Sequence, residues 1–394
     1  MPSSRPAVLF GAFDRHNFGD LLFPHVLAHM LAPRKMLFAG LVARDLRAFG
    51  GHRIHAIGEI LTRASTVDLI HAGGELLTCD AWEAAVMLAP AERVQALIAQ
   101  ENAWKADPLA WSSNHLGIAA RAPYLLSKTL LHGWRVVFHA MGGADLDRRD
   151  ESFREEVIGK LKQADEVSVR DRQTHAHLRA QGIDAQLIPD PAVMVAELFG
   201  AHIRARATQA PLQAIANAFP QGYAAIQFDA GFGDDATLDV FARALSWVAR
   251  EYGLGIVLFR AGAAPWHDDP AIHARLKQRL AARSVLFASL DIWDICALIA
   301  SSRVYCGSSL HGRIVAMAFA RPRINIVHTE ENLQPPKQAA FAATWEPREI
   351  AATAYGEELA DAISAALQAD TALLRHTADD LARRYRAAFN ASAP

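Results

Sequence analysis

Short apolar runs alternate with amphipathic segments along most of this chain, and that alternation constrains its fold more than any other feature. Arg135–Met141 is nearly all apolar and closes at Gly142-Gly143, and Val67–Ala72 closes at Gly73-Gly74-Glu75. Val304–Cys306 runs into Gly307. Near-continuous apolar runs of this length suit strands buried on both faces of a parallel sheet. Between such runs lie helical segments: Glu151–Ala164, Thr174–Gln181 and Ala236–Tyr252. The last puts Leu238, Phe241, Leu245 and Val248 on one face. The pattern predicts doubly wound α/β architecture.

The runs fall into two series. The first comprises Pro6–Gly11, Lys35–Val42, Val67–Ala72, Arg135–Met141, Val167–Asp171 and Ala185–Ile188. The second comprises Tyr223–Phe228, Gly255–Phe259, Val285–Ala288, Val304–Cys306 and Arg323–Val327. Residues 200–221 read as a linker, because His202–Thr208 is basic and Pro211 and Pro220 bracket a short helical segment. The expectation is two Rossmann-like domains, 1–200 and 201–394, with their boundary between residues 196 and 222. Glu357–Gln368 and Asp379–Phe389 are predicted to be amphipathic helices packed on the body. Leu76–Trp134 reads as a largely helical insertion carrying Trp82, Trp104, Trp111 and Trp134. Core filling is the plainer role for any one of these tryptophans, and stacking on sugar rings is the alternative.

Composition narrows the partners. With 52% apolar and 21% charged residues among 394, a large core is available. A net charge of −2 gives no general attraction to nucleic acid or anionic membranes, so any anion site must be local. Cys79, Cys296 and Cys306 are far apart, which fits a reducing compartment and no zinc site. The apolar run Ala7–Phe13 is broken by Gly11 and too short for a signal-peptide core, and no run has the length of a membrane span. The expected location is the cytoplasm. His25 and His29 share a helix face, but no third ligand accompanies them, and no metal is expected.

The strongest chemical signal is Cys306-Gly307-Ser308-Ser309-Leu310-His311-Gly312-Arg313. It joins a strand to the helical stretch Ile314–Ala320, and such turns lie at the carboxyl ends of strands, where α/β sheets bind ligands. Free N–H groups at the helix start attract anions. His311 can move a proton, and Arg313 is a fixed cation. Ser308 or Ser309 can equally serve as a helix cap, and His311 can be a structural histidine. The first strand leads into Gly11–Asp20, where Asn17, Gly19 and Asp20 make an open loop and Asp20 reads as the N-cap of Leu21–Leu31. The glycine spacing is not that of a dinucleotide fingerprint.

Four elements in chain order resemble the polysaccharide pyruvyltransferase family: Asn17-Phe18-Gly19-Asp20, Asp68–Leu77 with its glycine pair, Ser168-Val169-Arg170-Asp171 with Asp190-Pro191, and Leu310-His311-Gly312. The resemblance implies two Rossmann-like domains facing a cleft, as in GT-B glycosyltransferases, with the acceptor on the first and the donor on the second. It implies phosphoenolpyruvate as donor, a sugar or lipid-linked oligosaccharide diol as acceptor, and a pyruvate ketal as product. A lipid-linked acceptor would bring the protein to a membrane surface. His311 and Arg170 then become the catalytic candidates. Ser308, Ser309, Gly312, Arg313 and Arg260 become candidates for the donor's anionic groups. Asn17, Gly19, Asp20, Gly73, Gly74, Glu75 and His139 become acceptor or cleft candidates. Many members carry arginine two residues before the histidine, where this chain has Ser309. The cation must then be Arg170, Arg313 or Arg260. No redox cofactor is implied. The alternatives are a GT-B glycosyltransferase using a nucleotide sugar and a non-catalytic binding relative.

Overall fold

The computed structural model describes residues 5–63, 66–131, 133–328 and 336–392; the N-terminal stretch Met1–Ser4 lies outside them. The chain divides into two compact units. One runs to Pro191 and includes the chain from Arg384, and the other is Ala192–Arg383.

The first unit holds an eight-stranded sheet. Its strands are β1 (Ala7–Phe10), β2 (Met36–Gly40), β3 (Arg44–Asp45), β4 (Arg53–Ala56), β5 (Asp68–Ala72), β6 (Arg135–Met141), β7 (Glu166–Val169) and β8 (Gln186–Leu187), in spatial order β3-β4-β2-β1-β5-β6-β7-β8. Every pairing is parallel except β3 with β4. Without the edge strands β3 and β8 this is the order 3-2-1-4-5-6, which reverses between β1 and β5. Phe10 pairs with His71 at that point. The next residue, Gly11, has no room for a side chain, since a Cβ would lie 3.0 Å from the carbonyl of Ala72. β3 and β4 are absent from the sequence reading; they are short and carry Arg44, Asp45, Arg53 and His55, so they lack an apolar run.

The second unit repeats the order. Its strands are β9 (Tyr223–Gln227), β10 (Gly255–Phe259), β11 (Ser284–Phe287), β12 (Val304–Gly307), β13 (Arg323–Ile326) and β14 (Thr353–Ala354), all parallel, in spatial order β11-β10-β9-β12-β13-β14. Its reversal lies between β9 and β12, where Gly307 pairs with Gln227. Both β9 and β10 are buried at every residue.

Each unit has its own hydrophobic core. The 76–134 insertion folds as helices Ala81–Leu88, Ala91–Ile98, Glu101–Ala106 and Pro108–Leu116. Trp104, Trp111 and Trp134 are buried in the first core and Trp82 packs against it, so these tryptophans are structural.

Two expectations are corrected. Residues 200–221 are not a linker: helices Val195–Ala207 and Ala210–Ala218 occupy most of the segment. The basic run is the last turn of the first helix, where Arg204 and Arg206 face the negative end of its dipole. Arg206 also pairs with Asp294 at 2.6 Å, and Phe199 packs on Trp293 with ring centroids 5.0 Å apart. The predicted helix Asp379–Phe389 is the middle of one helix, Thr371–Ser392, whose closing residues group with the first unit.

Candidate functional site

At the reversal of the second sheet, β12 ends at Gly307 and a helix starts at Leu310, running to Ala318. The helix begins earlier than the sequence suggests, so His311, Gly312 and Arg313 lie in its first turn. Ser309 is the N-cap, its hydroxyl accepting from Gly312 N at 3.2 Å. The backbone here is pinned by neighbours. Gln227, closing β9, accepts from Ser309 N at 2.9 Å through Oε1. Tyr305 donates its hydroxyl to Ser309 O at 3.0 Å. Asn325 Nδ2 donates to Gly307 O at 2.6 Å, and Gln338 Nε2 donates to Ser308 O at 2.6 Å. Ser308 Oγ accepts from Asp229 N at 3.0 Å. A Cβ at Gly312 would lie 2.2 Å from the Tyr305 hydroxyl, so only glycine fits under that ring. His311 is buried, 7% exposed, at the second position of the helix.

The other half of the network is Asp268. It is buried, accepts from Gln227 Nε2 at 2.8 Å and from Ala261 N at 2.5 Å. Burial pushes its carboxyl up to about 7 against the pull of those two donors, and Asp229 adds to the rise. Arg260, directly after β10, is half-buried and in no ion pair among the described residues. Arg313 is different. It is fully buried, holds Glu346 through Nε at 2.7 Å, and donates to the carbonyls of Ala351 and Ala352. Arg323 shares the same Glu346 at 2.5 Å. Arg313 therefore braces the helix from behind, and its expected part in holding the donor is corrected to a structural one. A cavity of about 680 Å³ opens in this unit by Phe232 and His328, whose rings stack 3.7 Å apart.

The first unit's reversal gathers most of the other candidates. Asn17, not Asp20, caps the helix Phe18–Met30, accepting from Gly19 N at 3.1 Å. Asp20 is buried in its first turn, 3.7 Å from Arg15 Nη2. Gly73 and Gly74 have φ of 54° and 74°, and a Cβ on Gly73 would lie 2.6 Å from the Phe23 ring. Arg170 is 2% exposed and bridges Glu75 at 2.6 Å and Asp190 at 2.8 Å. Burial alone would pull its guanidinium down; those carboxylates raise it above its ordinary value. Asp171 caps the next helix, accepting from Thr174 N at 2.7 Å. His139 is buried, bonded through Nε2 to the Tyr385 hydroxyl at 2.9 Å, and burial pushes it down to about 4. It is covered rather than presented, which corrects its reading as a cleft residue. His25 bonds Gly50 O at 2.8 Å.

Sequence reasoning misses Gln227, Tyr305, Asn325 and Asp268. Each is a polar residue within, at or beyond the end of an apolar strand, a cue that means little until the strand order is known. It misses Asp14, Arg15 and Tyr124 because they meet only through the fold: Tyr124 donates to Asp14 at 2.8 Å and accepts from Arg15 at 3.1 Å.

A family model for polysaccharide pyruvyl transferases matches residues 133–330, half of the chain, and takes in β6, β7, Arg170, Asp190 and the whole His311 turn. The chain belongs to that family. Family membership makes it a transferase of pyruvyl groups in polysaccharide synthesis. No curated protein matches the sequence. Solved structures show the GT-B fold. UDP-GlcNAc 2-epimerase of Methanocaldococcus jannaschii, bound to UDP-GlcNAc and UDP, is similar at TM-score 0.51 and 10% identity over 93% of each chain. MnaA of S. aureus, solved with UDP, is similar at 0.53 and 11% over 96% of this chain and 91% of that one. UGT89C1 of Arabidopsis thaliana, complexed with UDP, is similar at 0.51 and 10% over 99% and 100%. No helix among the described residues is long and apolar enough to cross a membrane.

Proposed function

We propose that this member of the family moves the pyruvyl group of phosphoenolpyruvate onto two hydroxyls of a sugar, closing a cyclic ketal. The observation that carries the reading is the position of His311: buried in the first turn of a helix, at the carboxyl-end reversal of the second sheet, inside the segment the family model matches.

Each step follows from a group in that arrangement. Protonation of C3 converts the enol carbon C2 into an electrophile, and His311 supplies the proton. The first hydroxyl adds to C2 and loses its proton to the deprotonated His311. The C2–O bond to phosphate then breaks, and inorganic phosphate leaves. The second hydroxyl adds to C2, passes its proton to the released phosphate, and closes the ring. The positive end of the His311 helix and Arg260 hold the anionic ends of the donor. The reaction needs no electron transfer, so no redox cofactor is assigned.

The test uses phosphoenolpyruvate carrying label in its carboxyl carbon, mixed with the protein and glycans bearing free vicinal or 4,6-diols. The expected result is label in an acid-labile ketal with one phosphate released per ketal. Transfer of sugar from UDP-sugars, with no incorporation of pyruvyl label, would replace this reading with a nucleotide-sugar transferase. Saturable donor binding with neither transfer would make the protein a non-catalytic relative.

A further inference from the structure

β9 and β10 lie side by side, and the loop from Arg260 to Asp269 leaves the carboxyl end of β10. Asp268, on that loop, and Gln227, the last residue of β9, are both buried. Their bonds run in two directions. Asp268 Oδ2 accepts from Ala261 N at 2.5 Å, in the peptide directly after Arg260. Asp268 Oδ1 accepts from Gln227 Nε2 at 2.8 Å. Gln227 Oε1 in turn accepts from Ser309 N at 2.9 Å. One carboxylate and one amide therefore join the strand end that carries Arg260 to the cap of the His311 helix. The joint has no slack, because a Cβ on Gly307 would lie 2.5 Å from Gln227 O and 2.8 Å from its Oε1.

This chain of bonds runs in one sense only. Ala261 N and Gln227 Nε2 are donors, so both oxygens of Asp268 must accept, as an ionised carboxylate does. Protonation turns one oxygen into a donor. Ala261 N or Gln227 Nε2 then loses its acceptor, or Gln227 turns over and sets its NH2 against Ser309 N. Each outcome opens one link, and a buried N–H without a partner is costly. Burial pushes Asp268 up to about 7, and the charge of Asp229, on the loop after β9, adds to the rise. Tyr305, acting on it from β12, is pushed well above its ordinary value by burial and stays neutral. Arg260, His267 and Asp269 flank it along its own loop. Both forms of Asp268 are thus populated close to neutral pH.

We propose that Asp268 and Gln227 are positioning residues that couple Arg260 to the His311 turn, holding both in the donor-binding arrangement while Asp268 is ionised and releasing them when it is protonated. The inference rests on the phosphoenolpyruvate reading above and gives that site a pH dependence of its own: donor affinity rises with pH across the neutral range. Neither residue touches a reacting atom in this scheme.

Two variants test the coupling, with circular dichroism to confirm folding. D268N keeps the size of the side chain but offers one acceptor, so one link stays open at every pH. D268N/Q227E exchanges amide and carboxylate across the pair: the new amide donates to the new carboxylate, which accepts from Ser309 N, and each donor regains an acceptor. Hydrogen exchange of the Ser309 amide, read as a protection factor, reports the link without any ligand. Calorimetry with phosphoenolpyruvate reports the site, and the ratio of wild type to D268N at each pH cancels the donor's own phosphate ionisation. At pH 8 wild type is expected to protect Ser309 and to bind the donor roughly three- to tenfold more tightly than D268N. At pH 6 the two are expected to converge, and the double variant is expected to regain protection at pH 8. Equal Ser309 protection in wild type and folded D268N at pH 8 overturns the proposal, as does an affinity ratio that stays the same from pH 6 to pH 8. Both readouts stand on wild type and D268N alone if the double variant does not fold; a folded double variant with Ser309 unprotected also overturns the proposal. Protection that depends on Asp268 in a protein that binds no phosphoenolpyruvate would remove the proposed reaction and leave the coupling standing.

Discussion

At the end of β7, Arg170 is buried between Glu75 and Asp190; at the end of β10, Arg260 is half-buried and in no ion pair among the described residues. Both follow an apolar strand, and both read from sequence as cations presented to a ligand. The first sheet supplies the counterions for its arginine, whereas the second leaves the charge of Arg260 unneutralised by any carboxylate described. Arg313 belongs with Arg170, because Glu346 takes its charge. Two sheets with one strand order therefore differ at these strand ends: the first pairs Arg170 with two carboxylates, and the second leaves Arg260 without one among the described residues, which is what the proposed donor site draws on. A cation at a strand end is a binding group only when the fold has not already neutralised it.

Removing the locked arginine breaks this contrast most severely. R170M leaves Glu75 and Asp190 without their cation, so unfolding free energy in urea is expected to fall by about 3–5 kcal/mol. R260A is expected to leave the urea midpoint where it was. Equal stability losses in the two variants would abolish the distinction drawn here.

A second large effect separates the units by pH. Asp268 titrates near 7 in the folded protein and near 3.8 when unfolded, because burial favours its neutral form. The folded state thus keeps a proton that the unfolded state has released, and Asp268 withdraws stability as pH rises from about 4 to 7, by roughly 4 kcal/mol at most. His139 acts in the opposite sense. Its folded value of about 4 lies below 6.5, so its stabilising effect is present above pH 6.5 and lost as pH falls towards 4. D268N is expected to remove the first slope and leave the second. A difference between wild type and D268N that is flat from pH 4 to 7 would contradict the assignment.

The next effect is on binding. R260A is expected to weaken phosphoenolpyruvate, measured by calorimetry, by roughly ten- to a hundredfold, the usual range for a lost charged hydrogen bond. Unchanged affinity would move the donor's anionic end elsewhere. Smallest of all, S309A loses the cap on the His311 helix and is expected to lower stability by about 0.5–2 kcal/mol.

Much of the fold is legible in the amino-acid sequence. Apolar runs mark β1, β5, β6, β9, β10 and β12, because strands covered on both faces must be apolar almost throughout, and β2 is apolar although its first three residues are only partly covered. The same pattern places the His311 turn and the Asn17–Asp20 and Gly73–Glu75 loops at strand ends. The rest is hidden for physical causes. β3 and β4 are short and polar. The helix Val195–Ala207 hides behind a basic run that is its own last turn. Glu346 and Asp190, which neutralise Arg313 and Arg170, lie 33 and 20 residues away, and nothing local to the arginines announces them. Gln227 and Asp268 gain meaning only from the pairing of β9 with β12, which is a fact of topology.

The central claim is that His311 moves the proton at C3 of the donor. Exchange of the C3 protons of phosphoenolpyruvate in deuterated water, followed by NMR with donor and glycan acceptor present, measures that step directly. Wild type is expected to exchange at the rate of turnover or faster. H311N, confirmed folded by an unchanged urea midpoint, is expected to slow exchange by about a hundred- to ten-thousand-fold. Wild-type exchange by folded H311N would contradict the account and pass the proton to another group.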